Sequence, residues 1–188
     1  PYLPPLEPLL QGTGQFSLEP WQGAIDGLGQ GLVNSIILVV PATIFSGLLG
    51  SMAAFGLTTI SWRGQVGIYA LFVAGIFIPY QAVFVPLTQF WYNVVPLQAA
   101  FEPLAVLPFV EAYHWKLLAL IITHTAYGLP ICTLLFRAHY KKLSDEMVEA
   151  AQLDGASVAT IYRRIILPLS IPMFAVVFIY QFTQIWND

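Results

Sequence analysis

Four stretches of this chain carry no Asp, Glu, Lys or Arg: 36 residues between Asp26 and Arg63, 38 between Arg63 and Glu102, 20 between Lys116 and Arg137, and 23 between Arg164 and Asp188. A helix needs roughly 20 apolar residues to cross the hydrocarbon core of a bilayer, so each gap has room for one span. The expected spans lie at about 32–57, 66–90, 117–136 and 166–185. Composition agrees, because charged residues make up 9% of the 188 and hydrophobic ones 57%, whereas soluble domains carry about 25% charge. The runs are continuously apolar and lack the in–out alternation of a membrane barrel. The expected fold is therefore all-α, a polytopic helical membrane protein. A net charge of −3 gives no footing for nucleic acid, and the single cysteine, Cys132, excludes an internal disulfide framework and a multi-Cys metal site.

Orientation follows from the basic residues. With ends and loops on alternating sides, one side holds Arg63, Arg137, Lys141, Lys142, Arg163 and Arg164, and the other only Lys116. That asymmetry marks the first side as cytoplasmic. Residues 1–31, with Glu7, Glu19 and Asp26, form an extracytoplasmic segment, and residues 186–188 a short outer end. Trp21, Trp91, Trp115 and Trp186 fall at the outer boundaries, as in an aromatic belt. An exported segment at Pro1 needs something upstream to carry it across, so at least one further span is expected before it.

Within the spans, small residues recur every fourth position as Ala42, Ser46, Gly50 and Ala54, beside a second row of Thr43, Gly47 and Ser51. Such rows let helix backbones approach closely, either inside one subunit or between subunits. Prolines interrupt the other spans at Pro79, Pro86, Pro130, Pro168 and Pro172. Each removes a backbone donor, and the freed carbonyls need partners in protein or a water-filled cavity. The polar side chains of the spans are uncharged, so a proton relay or cation pump is disfavoured. Hydroxyls, amides and aromatic faces suit a neutral polar solute such as a sugar. Gln81, His124, Tyr127, Gln181 and Gln184 are the candidate solute path, with Gln181, Gln184 and Asp188 on one helix face. His124 has an alternative role as an interhelix hydrogen-bond partner.

The inner segment 137–165 reads as two short helices. Ser144 is placed to cap the first, with Asp145 and Glu146 in its opening turn and Leu143, Met147, Ala150 and Ala151 as an apolar stripe. Gly155 suits the left-handed position after a helix. Ser157 is placed to cap the second helix, where Val158, Ile161 and Ile165 share a face. This pattern fits docking into another protein, and equally an amphipathic loop on the lipid surface.

The segment Glu149-Ala150-Ala151, three residues, Gly155, nine residues, Ile165-Ile166-Leu167-Pro168 resembles the EAA signature of ABC-importer permeases. Asp154-Gly155-Ala156-Ser157, Tyr162-Arg163-Arg164, Trp186-Asn187-Asp188 and Asn34-Ser35 resemble its carbohydrate branch. Residues 124–137, from His124-Thr125-Ala126-Tyr127-Gly128-Leu129-Pro130 to Phe136-Arg137, are most similar to glucose/mannose-type permeases. The resemblance implies a type I importer permease fold with four of an expected six spans in this chain. It implies a multi-pass protein of a prokaryotic inner (plasma) membrane and alternating access. Its partners would be a second permease, two cytoplasmic ATPases and an extracytoplasmic sugar-binding protein. ATP and Mg would be bound by the ATPases, with no cofactor in this chain. Carried over, Glu149, Ala150, Ala151 and Asp154 would seat in the ATPase, Gly155 would supply the bend, and Ile165, Leu167 and Pro168 would fix the loop to the span. The long outer loop Asn93–Trp115, with Pro96, Pro103 and Pro108, bears on docking of the binding protein. No lysine follows a glycine, so a P-loop is absent, and no nucleophile–base set is present; the chain is expected to be non-catalytic. Other solutes compatible with the pattern are maltose and other oligosaccharides, polyols and glycerol phosphate, and a non-transport scaffold subunit is the alternative outside transport.

Overall fold

The computed structural model describes residues 19–107, 111 and 113–188; residues 1–18 of the expected outer segment, and Pro108, lie outside the described residues. The described secondary structure is helical. Helix α1 (Glu19–Gly56) is followed by α2 (Gln65–Ile76) and α3 (Tyr80–Gln89), which runs into a π-turn, Phe90–Val94. A short α4 (Leu97–Phe101) and a 3-10 turn, Glu102–Val106, precede α5 (His114–Tyr140). The inner segment contains α6 (Asp145–Leu153), α7 (Val158–Ile161), a π-turn Tyr162–Ile166 and α8 (Leu167–Leu169), and α9 (Ile171–Trp186) follows. Residues 36–188 form one compact unit and the residues before them another.

Two helices, Trp21–Gly56 and His114–Tyr140, are long and apolar enough to cross a membrane, and two bent pairs pass the same test together. The expected span 66–90 is broken: Gln65–Ile76 and Tyr80–Val94 meet at 99°. Pro79 lacks a backbone donor and drives the preceding residue, Ile78, out of the helical region. The chain then restarts with Pro79 in extended conformation at the cap of α3. The expected span 166–185 is also divided. Residues 166–169 belong to the segment Val158–Leu169, which meets Ile171–Trp186 at 74°. Pro172 lies in the first turn of α9, where its missing N–H costs no intrahelical bond, and the break itself falls at Ser170. Ser170, fully buried, closes the elbow by donating to the Ile166 carbonyl at 2.6 Å.

From residue 36 onward, α1 is packed in reverse of a soluble helix. Ala42, Ser46, Ser51 and Ala54 are buried, while Ile44, Phe45, Leu48 and Met52 are exposed. In lipid no hydrophobic drive favours hiding large side chains, and close backbone approach carries the association. Both small-residue rows pack within the chain. A Cβ on Gly50 would lie within 3.0 Å of the Cβ of Cys132 on α5, and one on Gly47 would meet the Phe178 ring of α9 equally closely. Gly128 of α5 sits at the three-helix crossing, against Gln181 of α9 and Ser46 of α1. Around these contacts a cluster of Phe55, Cys132, Phe136, Tyr140, Ile161, Ile166, Phe174 and Val177 joins the helices to the segment between α5 and α9. The π-turn after α3 is tied to α5 by Trp91, whose indole N–H donates to the Thr123 hydroxyl at 2.9 Å.

Candidate functional site

Two places gather the residues singled out in the sequence. The first is the loop between α5 and α9. Ser144 occupies the cap of α6 with extended backbone, but its hydroxyl makes no capping bond. Ser157 does cap α7, accepting from the Thr160 amide at 3.2 Å. Between them Gly155 adopts φ +77°. The Ala156 amide donates to the Ala151 carbonyl at 2.9 Å and the Gly155 amide to the Gln152 carbonyl at 3.0 Å. This pair of bonds is the Schellman ending, and it needs a left-handed residue at the glycine position.

The loop has two faces. Ala151, Ala156, Ile165 and Leu167 are half-buried and pack on the core cluster. Glu149, Ala150, Asp154, Gly155 and Pro168 are exposed. Leu153, which the sequence reading passed over, stands 89% exposed at the end of α6. Val158, expected on the packed face with Ile161 and Ile165, is instead exposed at 50%, while Ile161 is buried.

Hydroxyl groups fix the inner face. Ser51 of α1 hydrogen-bonds the hydroxyls of both Tyr140 and Tyr162, the latter at 2.8 Å, linking α1, α5 and the loop. Beside this cluster, the Leu57 carbonyl at the end of α1 accepts from Arg137 Nε at 3.2 Å and from the Gln65 amide. The Arg137 guanidinium lies 3.9 Å from the centre of the Tyr69 ring, a cation–π contact. The pairings of Arg137 with Leu57 and of Ser51 with Tyr140 and Tyr162 were not evident in the sequence, because they join residues 80 to 111 positions apart.

The second place is a cavity of about 320 Å³ at the break between α2 and α3. Gln81, Tyr127, Gln181 and Gln184 all line it, with Tyr80, Tyr180 and Gly128. Gln181 is nearly fully buried. The break supplies its own partner: the carbonyl of Ile78 accepts from the Tyr127 hydroxyl at 3.1 Å. Tyr127 also stacks on Tyr80, with ring centres 3.9 Å apart. His124 is not among the lining residues. It is buried one turn away on α5, 6.0 Å from the Tyr80 ring, with Nδ1 3.8 Å from an Asp188 carboxylate oxygen. Tyr80 and Tyr180 were missed in the sequence. The available signal was the position of Tyr80, directly after the helix-breaking Pro79.

Residues 46–188 match the family described as binding-protein-dependent transport system inner membrane component. The chain is 54% identical, over its whole length and 59% of the relative's, to the xylose/arabinose import permease protein of Haloferax volcanii. It is 32% identical to the alpha-glucoside transport system permease protein of Rhizobium meliloti, over 93% of this chain and 43% of that protein. To the glucose import system permease protein of Saccharolobus solfataricus it is 27% identical, over 96% of this chain and 60% of that protein. The chain thus spans less than two thirds of the length of these relatives.

Proposed function

Because the chain belongs to the family of binding-protein-dependent transport system inner membrane components, we propose that it forms half of the translocation path of an ATP-driven sugar importer. In this reading it is a non-catalytic permease subunit of the inner membrane. It works with a second permease, two cytoplasmic ATPases that bind ATP and Mg, and an extracytoplasmic sugar-binding protein. The observation that carries the reading is the two-faced loop 149–168. Its inner face is bonded and packed to α1, α5 and α9, while Glu149, Ala150, Leu153 and Asp154 stand exposed at its outer end. A rigid loop that leaves a leucine in water suits docking into the ATPase, and its attachments pass the ATPase's movement to the spans.

Among sugars, the 54% identity to a xylose/arabinose permease favours a pentose over the glucose or mannose suggested by residues 124–137. The test is uptake by the full-length protein assembled with its partners in vesicles. Leu153→Asp removes no contact within the chain's core, so the protein should insert normally while uptake and sugar-stimulated ATP hydrolysis fall at least tenfold. Unchanged uptake in that variant refutes the docking role of the loop. Competition of labelled xylose by arabinose, glucose, mannose and maltose then ranks the substrates.

A further inference from the structure

We infer that this subunit itself holds a one-ring sugar subsite, in the cavity at the broken α2–α3 span. The inference rests on the importer reading above and extends it to where the solute is held. The 99° break swings α3 away from α2 and leaves a gap bounded by α5 and α9. Gly128, on the α5 wall, lets the Gln181 amide press close against the α5 backbone at the cavity's edge.

The lining chemistry is selective. Gln81, Gln181 and Gln184 each offer an amide donor and an amide acceptor, the complement of a ring of hydroxyls. Tyr80, Tyr127 and Tyr180 add hydroxyls and aromatic surface. The negative face of an aromatic ring attracts the weakly positive C–H face of a sugar ring. No Asp, Glu, Lys or Arg is among the lining residues, so the wall presents amides, hydroxyls and aromatic faces rather than charge. A volume of about 320 Å³ is at the small end of ligand pockets, which run from about 300 to 1,000 Å³. It accommodates one ring rather than a chain of them.

The experiment uses the full-length protein in the assembled transporter, with Gln184→Cys as a reporter. Cys132 is fully buried, so the introduced thiol is the reactive one in this chain. D-xylose or D-glucose delivered by the binding protein should slow maleimide labelling at position 184 at least fivefold, and Tyr80→Ala should abolish that protection while Tyr80→Phe retains it. Transport with no protection at position 184 overturns the subsite and leaves the importer reading intact. Equal loss of protection in Tyr80→Ala and Tyr80→Phe overturns the stacked-ring contact. Failure of the parent transporter to move any of the sugars overturns the importer reading itself.

Discussion

Replacing Gly155 separates two demands that the loop places on one position. Its φ of +77° is a left-handed conformation, which costs a side-chain-bearing L-residue about 1–2 kcal/mol. A Cβ built there meets nothing within 4 Å, so the chain itself adds no steric penalty. The backbone term alone lowers the population of the Schellman-terminated helix by up to about 5–30-fold. Asn is enriched in this region, whereas a β-branched residue is an outlier there. If backbone handedness sets the loop's activity, coupling should fall in the order Asn, Ala, Val. Gly155→Asn should stay near wild type, Gly155→Ala should lose about 5–30-fold, and Gly155→Val more. The assay is sugar-stimulated ATP hydrolysis by the assembled transporter, with ATPase co-purification read in parallel. Wild-type coupling in Gly155→Val would refute the reasoning outright. Tolerance of Ala with failure of both Asn and Val would also refute it, by moving the constraint from the backbone to bulk against a partner.

Gly128→Ala should destabilise the detergent-solubilised protein by about 1–3 kcal/mol, the range for overpacking, because its Cβ would collide with Gln181 and Ser46. Gly56→Ala, with open space around it, should leave the thermal midpoint unchanged. Ser51→Ala and Tyr162→Phe should each cost about 1 kcal/mol, and the double variant should cost less than the sum, because the two residues share a hydrogen bond; strict additivity would argue against that bond. Cys132, fully buried, should resist maleimide in the folded protein and react after denaturation, and rapid labelling before unfolding would contradict the packing of α1 on α5.

The helical, apolar character of these stretches was legible because charge in a membrane chain is scarce, and its placement marks where long apolar runs lie. Gly155 and the cap at Ser157 were legible because each depends on neighbours within a few residues. The angles at Pro79 and Pro172 were not. A proline frees a carbonyl locally, but the resulting bend depends on who answers it. The break also leaves the Ile78 carbonyl outside either helix, and what answers it is Tyr127, 49 residues on. The small-residue rows announced close approach without naming their partners, since Cys132 and Phe178 come from α5 and α9. The solute-path glutamines stood out as amides in apolar runs. Tyr80 and Tyr180 did not, because aromatic residues are ordinary in such runs and only the fold turns these two towards the same gap.

The elbow at Ser170 has a mechanical consequence. The twelve residues Val158–Leu169 make an arm of about 18 Å at a helical rise of 1.5 Å per residue, set at 74° to α9. An arm standing so steeply to its shaft acts as a crank: moving its tip sideways by about 3 Å turns α9 about its own axis by about 10°, with little sliding along it. Side-chain ends lie about 5–6 Å from a helix axis, so that turn carries Gln181 and Gln184 about 1 Å around the shaft. A small push on the arm would thereby reach the cavity as torque, where 1 Å is enough to make or break an amide's hold on a hydroxyl.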